Sequence, residues 1–301
     1  MSDQTGTFPW SEEQWSRARK VVQDSARRAR VASSFLPLFG PLPSDQVTVS
    51  SMRMTPDELC DKARGEADLR LVVHDREMIH LTTISADIYL RTYEASDPEM
   101  TAALSMISRA ADVLGRLEDS IIFNGQPAVD EGPRGQDQVK PIIYQVKGGE
   151  ERRGLASRGD NELTVAGEGP DEIGENLVKQ TVNAIEDLER EGHYGPFAQV
   201  LGTKLYLAAN SPHGESMVLP SDRIVPFLDG PLLRSSTIPG HLGVLVALGG
   251  DPIDLVVAHD LELKFIQMTI EPRYVLRLSE RFTLRIKQTG ATRLFVAGQE
   301  A

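Results

Sequence analysis

Residue types that could do chemistry are present, but their spacing supports no catalytic or metal site. The chain has six histidines, and no two lie three or four residues apart, the spacing that places two ligands on one helix face. His259 and Asp260 follow an apolar run, but adjacent strand residues point to opposite faces, which disfavours an acid–base pair. Asp251 and Asp254 are predicted to lie in a turn, and Cys60 is interpreted as an inert thiol.

Composition narrows the class of protein. The formal net charge of −12 argues against a nucleic-acid binder, because phosphate contacts need a basic surface. A single cysteine forms no internal disulfide, so we expect a cytoplasmic protein. The sequence has no apolar run of transmembrane length and no N-terminal signal core, so no membrane partner is expected.

One long helix is predicted to organise the fold. Asp97 is the expected N-cap, Pro98 suits the first helical position, and Gly125 ends the segment. About 24 residues at 1.5 Å each make a rod of about 36 Å. Glu118 and Asp119 lie unfavourably near its negative end, so a salt bridge to a neighbouring arginine is expected. Apolar residues recur every three or four positions, at Ala103, Ile107, Ala110, Leu114, Leu117 and Ile121.

Two segments before this helix have features that a partner surface would explain. A helix starting after Ser11 and running to about Ser34 is locally basic, which fits either a solvated face or a surface for an acidic partner or a membrane. Strand-like patterns from Val47 to about Thr92 predict a two-stranded arm. Because an isolated hairpin is marginal in water, the arm needs a partner such as another copy of the chain.

Beyond the long helix, the pattern mixes helices and strands. Residues 126–174 are rich in Gly, Pro and charge, and residues 175–191 form an amphipathic helix. Short strands with turn residues between them fill the last third. The fold class is therefore α+β, without the regular alternation of a Rossmann sheet.

Several separated strings occur in a fixed order across residues 10–287. They are EEQW from Glu12, Gly40-Pro41, EDSIIFNG from Glu118, GHYGPF from Gly192, GGD from Gly249, DLVVAHDL from Asp254 and ERFTLR from Glu280. Their order and spacing together resemble the encapsulin nanocompartment shell proteins of the family 1, linocin-like type. These proteins are related to tailed-phage capsid proteins of the HK97 fold.

The resemblance implies an HK97-like capsid fold with five parts. They are an N-terminal arm and helix on the inner wall (1–46), an extension loop that pairs with a neighbouring subunit (47–80), a P-domain with the spine helix (81–125), an A-domain (126–260), and P-domain return strands with a tail (261–301).

The function implied by the resemblance is a self-assembling icosahedral shell, not an enzyme. The shell would enclose a cargo for iron storage or oxidative stress, such as a ferritin-like protein or a dye-decolorising peroxidase. A terminal targeting peptide of the cargo would lie in an apolar groove to which Trp15, Val22, Ala26 and Phe35 contribute.

Two further sites are implied by the resemblance. The loop with Asn210, His213, Gly214 and Glu215 matches the family's five-fold pore loop, although an ordinary exposed loop is equally compatible. Some relatives carry a flavin-contacting Trp near the extension loop, and Tyr89 is the nearest counterpart. No other cofactor and no metal are expected.

Two alternatives stay open at this point. A tailed-phage or prophage major capsid protein has the same fold and would package DNA. A soluble hydrolase built on the carboxylates and His259 is less favoured, and it predicts a small particle.

Overall fold

The computed structural model describes residues 8–43, 45–60, 67–126, 144–149, 154–157, 161–212 and 218–298. In chain order the helices are α1 (Glu12–Ala29), α2 (Thr92–Ala95), α3 (Thr101–Asn124), α4 (Pro170–Arg190), α5 (Thr203–Ala209) and α6 (Pro220–Leu228), and a 3₁₀ turn spans Ala32–Ser34. The strands are β1 (Leu38–Phe39), β2 (Thr48–Ser50), β3 (Arg53–Cys60), β4 (Ala67–His74), β5 (Met78–His80), β6 (Thr82–Arg91), β7 (Tyr144–Gly148), β8 (Glu162–Val165), β9 (Phe197–Leu201), β10 (Leu232–Arg234), β11 (Leu242–Ala247), β12 (Ile253–Met268), β13 (Arg273–Ile286) and β14 (Thr292–Ala297).

Two five-stranded sheets form the body of the described chain. The first has the order β1-β12-β13-β6-β7, and the second has the order β10-β9-β11-β14-β8. In the first sheet, β12 and β13 form a long antiparallel hairpin, and the whole length of β6 pairs with β13. Helices α1 and α3 cover the first sheet, whereas α4, α5 and α6 pack beside the second.

The predicted five-part division does not follow the sheets. Strand β7 lies in the predicted A-domain range but pairs with β6 of the first sheet. Strand β12 runs across the predicted boundary at residue 260, and β14 pairs with β11 and β8 in the second sheet rather than with the return strands. Each sheet is therefore built from distant parts of the sequence.

The spine helix α3 has the predicted length of 24 residues, but it begins later than expected. Asp97 lies four residues before the helix, and its carboxylate accepts hydrogen bonds from the backbone N–H groups of Glu99 and Thr101. Met100 occupies the N-cap position in the left-handed conformation with φ 57°. The predicted N-cap at Asp97 was wrong because its side chain closes a turn that precedes the helix. The helix ends at Asn124, before Gly125 with φ 84°.

Helix α1 starts as predicted and ends earlier. Ser11 and Gln14 form the capping box in which each side chain bonds the other residue's backbone N–H. The helix stops at Ala29 instead of continuing to about Ser34. Residues 8–10 lie in the predicted N-terminal arm, where Phe8 and Trp10 are 9% and 7% exposed and the Trp10 indole donates to the Ala95 carbonyl. The burial of these two aromatic rings holds the chain in place just before α1 begins.

Candidate assembly and interior surfaces

A two-stranded arm projects from the first sheet. Strands β3 and β4 pair antiparallel with each other, from Arg53 opposite His74 to Cys60 opposite Ala67, and they form a separate two-stranded sheet. Among the described side chains of the arm and its base, Leu71, Val73 and Met52 are 70%, 44% and 38% exposed. An isolated hairpin with exposed apolar side chains is marginal in water, so this arm needs a surface to pack on.

The base of the arm is fixed to the body by a buried ion pair. The guanidinium of Arg285 donates two hydrogen bonds to Asp254, at 2.8 and 2.6 Å, and both side chains are almost fully buried. Arg285 also donates to the Ser50 carbonyl at 3.4 Å and stacks over the Phe39 ring at 4.4 Å. One cation therefore joins β13, β12, β1 and β2. The turn role predicted for Asp254 was wrong, whereas Asp251 does lie in a turn with φ 51°.

Exposed apolar side chains gather at two places on the body. The first patch lies near the base of the arm and consists of Leu38, Phe39, Val47 and Met78, which are between 42% and 63% exposed. The second lies beside the second sheet, on and near α5 and α6, and consists of Leu207, Val218, Val225 and Phe227, which are between 46% and 60% exposed. Rings and aliphatic chains exposed in groups mark surfaces that bind other proteins.

Three of the strings that carry the resemblance meet around one arginine. Arg30, just after α1, forms ion pairs with Glu118 of the spine helix, with Asp260 at 2.8 Å and with Glu280 at 2.6 Å. The neighbouring Asp119 accepts hydrogen bonds from the backbone N–H groups of Val31 and Ala32. This arginine cluster, composed of Arg30, Glu118, Asp119, Asp260 and Glu280, ties the end of α1 to α3, β12 and β13. The salt bridge predicted at the end of the spine exists for Glu118, while Asp119 caps the turn instead.

Burial makes this cluster hold protons at unusually high pH. Loss of hydration raises the pKa of Glu280 to about 7, partly offset by the Arg30 charge, and raises the pKa of Asp119 to about 6, partly offset by its two backbone hydrogen bonds. Burial and the Glu280 charge also raise the pKa of Glu118 well above its ordinary value. One guanidinium cannot neutralise three buried carboxylates, so the group retains protons near neutral pH.

The residues predicted to form the cargo groove lie along α1 and beyond it. Val22 and Ala26 are 2% and 3% exposed on the buried face of α1. Trp15 and Phe35 are partly exposed, and their rings pack against Trp10 at 5.0 Å and Phe123 at 6.4 Å. From Trp15 to the end of α1 is about 21 Å at 1.5 Å per residue, so these four side chains mark a line rather than a single pocket.

The other predicted sites are only partly covered by the described chain. Asn210 ends α5, and its side-chain amide donates to the Tyr206 carbonyl. His213, Gly214 and Glu215 lie outside the described residues, as does the side chain of Cys60. Tyr89 is 51% exposed on β6, and no described aromatic ring stacks on it. The contact between Tyr89 and a flavin therefore stays a prediction.

The candidate acid–base pair is not assembled. The Asp260 carboxylate binds Arg30, and the His259 ring nitrogen lies 3.3 Å from the backbone oxygen of Asp260 rather than beside its carboxylate. Within the described residues, no group of three or more His, Cys, Asp or Glu side chains could hold a metal ion. No helix in the described part of the chain is long and apolar enough to cross a bilayer.

The spine helix, the paired sheets and the projecting arm define the HK97-like capsid fold. The virus-like particle of Pyrococcus furiosus has a TM-score of 0.66 and 14% identity over 94% of this chain and 99% of its own. The capsid of Myoviridae phage XM1 has a TM-score of 0.59 and 9% identity over 87% and 90%. These similarities establish the fold, and the predicted fold class is confirmed.

The chain belongs to the family described as encapsulating protein for peroxidase, whose model matches residues 3–135 and 142–283. A type 1 encapsulin shell protein, EncA of Myxococcus xanthus, is 27% identical over 94% of this chain and 92% of its own length. A diheme-cytochrome-encapsulin shell fusion protein of Kuenenia stuttgartiensis is 23% identical over 85% and 65%. The predicted resemblance is confirmed, and the chain is a shell-forming, homo-oligomeric encapsulin protein.

Proposed function

We propose that this protein closes into an icosahedral shell in the cytoplasm and encloses a cargo enzyme, while performing no catalysis itself. The observation that carries this proposal is the β3–β4 arm, which exposes Leu71 and Val73 and, among the described residues, forms no ladder with either five-stranded sheet. Its partner is the neighbouring subunit. The patches near the arm base and on α5 and α6 supply the remaining apolar contacts between copies.

Leu71→Glu tests the role of the arm. A carboxylate at the centre of the proposed contact would be buried without a partner, so assembly is expected to fail while the subunit stays folded. Met106→Glu is the matched control, because Met106 is 39% exposed on α3 and lies away from the arm and both patches. Size-exclusion chromatography, electron microscopy and circular dichroism measure particle size, closure and folding.

The outcomes separate the alternatives. Hollow particles from the wild-type chain and the control, with folded small species from Leu71→Glu, support the shell built on the arm. Intact shells from Leu71→Glu contradict the arm contact. A wild-type particle filled with DNA, detected by its ultraviolet absorbance, supports the phage-capsid alternative instead.

The cargo is proposed to be a ferritin-like protein or a dye-decolorising peroxidase that is tethered by a terminal peptide. The family description names peroxidase, and the partly exposed rings of Trp15 and Phe35 offer apolar contacts at the two ends of α1. An extended peptide running along α1 can reach both rings, with the buried Val22 and Ala26 supporting the helix below it. Each tether is weak, but many copies retain an oligomeric cargo.

Trp15→Ala combined with Phe35→Ala tests this path. A candidate cargo from each class, with and without its terminal peptide, is produced together with the shell and recovered with the particles. The double variant is expected to assemble and to lose most of the peptide-dependent cargo. Equal loading of wild type and variant would exclude these rings as the binding surface.

A further inference from the structure

Helices α1 and α3 lie side by side on the first sheet, joined by a 2.8 Å hydrogen bond between Ser25 and Ser108. Their outer faces carry a set of exposed cations that we call the basic surface. It consists of Arg17, Lys20 and Arg27 on α1 and of Arg109 and Arg116 on α3. Arg109 and Arg116 are seven residues apart and therefore share one face of α3.

The charges of these five cations are only partly offset by the neighbouring acidic side chains Glu13, Asp24 and Asp112. None of the five cations has a carboxylate within ion-pair distance among the residues that the structure describes. Several cations on other surfaces do have partners: Arg190 pairs with Glu186 and Asp187, Arg223 with Glu175, and Lys264 with Glu262. In a chain with a net charge of −12, the basic surface is a local reversal of charge, and such a reversal attracts an anionic partner.

We propose that the basic surface binds a carboxylate-rich segment of a cargo protein. The placement on the inner wall rests on the proposed function, in which α1 faces the cavity. A polypeptide fits better than a nucleic acid because Glu13, Asp24 and Asp112 lie among the cations. A polypeptide can place neutral or basic residues opposite these carboxylates, whereas a nucleic acid presents a phosphate at every step. Such a contact acts beside the apolar peptide path along α1 and is weakened by salt.

A glutamate–glycine copolymer, which has neutral positions between its carboxylates, and single-stranded DNA of equal total charge, both fluorescently labelled, test the proposal. The purified full-length chain is dissociated and reassembled with each probe, and the retained fluorescence per subunit is measured at low and high salt. In a parallel set, the probe is added after assembly. The test variant replaces Arg17, Lys20 and Arg27 by Gln. The control replaces Lys147, Lys179 and Lys264 by Gln, which removes the same charge from other exposed positions.

The proposal expects the glutamate–glycine copolymer to be retained at low salt, only when it is present during assembly. Retention is expected to fall about tenfold in the test variant, because three exposed ion pairs with the probe are lost, and to be unchanged in the control. Equal retention by both variants would overturn the basic surface as the site, and stronger retention of DNA would overturn the polypeptide partner. Equal binding after assembly would overturn the inner-wall placement. If no particle forms at all, the shell proposal fails separately, and fluorescence anisotropy with the same two variants tests the surface on the free subunit.

Discussion

Replacing Glu280 by Gln is expected to change how stability depends on pH. The side chain is 1% exposed and donates nothing when ionised, while its carboxylate accepts from Arg30 at 2.6 Å. Burial raises its pKa to about 7 from an ordinary value of 4.5, a difference that corresponds to about 3 kcal/mol. Because the folded-state pKa lies above the unfolded-state value, this stabilisation is fully present below about pH 4.5 and is lost as the pH rises through 7.

Glutamine keeps the shape and the acceptor oxygen but cannot ionise. The difference in unfolding free energy between wild type and Glu280→Gln is therefore expected to change by roughly 2–3 kcal/mol between pH 5 and pH 8, with the variant gaining relative stability at the higher pH. Glu118 shares the same guanidinium, so the apparent pKa belongs to the arginine cluster as a whole and the remaining pH dependence is not zero.

Urea unfolding of dissociated subunits at a series of pH values measures this effect. Trp10 and Trp15 are the only tryptophans, and both lie beside the start of α1, so their fluorescence reports the packing of α1. Glu262→Gln is the matched control, because Glu262 lies on β12 and pairs with Lys264 at the surface, where burial is small. Parallel stability curves for wild type and Glu280→Gln across this pH range would refute the reasoning.

Three further changes test other contacts. Asp254→Ala leaves the buried Arg285 without its bidentate partner and is expected to lower the unfolding free energy by about 3–5 kcal/mol in chemical denaturation, and an unchanged midpoint would contradict the anchoring of the arm base. Gly115→Val is expected to separate α1 from α3, since even a Cβ at this position lies 3.0 Å from the Ala29 Cβ; a lower melting temperature than that of the exposed control Ser105→Val is the measurement. Replacing His213 and Glu215 by Ala is expected to change the rate of metal-ion entry into assembled shells if they form a charged pore ring, and unchanged stopped-flow entry would remove the pore hypothesis.

Periodic patterns predicted the long elements well. They missed the start of α3, where a side chain competes with the helix for backbone N–H groups. The apolar spacing predicted the length of the spine helix, and the capping-box residues Ser11 and Gln14 predicted the start of α1. The start of α3 was missed because the Asp97 carboxylate bonds two backbone N–H groups in a preceding turn, an alternative that capping preferences alone do not separate from an N-cap.

Long-range contacts account for what the sequence could not predict at the candidate site. The need for a salt bridge at Glu118 followed from the helix dipole, but its partner, Arg30, is distant in sequence and comes close only when α1 packs beside α3. The pairing of Asp254 with Arg285 was likewise invisible, because a register between β12 and β13 is needed to bring the two together. For the same reason, a list of consecutive residue ranges could not show which strands share a sheet.

The position of β14 has a consequence for the order in which the two sheets are completed. This strand fills the gap between β11 and β8, so the second sheet stays split until residue 297 has left the ribosome. Helix α4 contacts both β8 and β14, so its packing against this sheet is also completed only then. Truncation before β14 is therefore expected to disturb α4 and β8 while leaving all five strands of the first sheet in place.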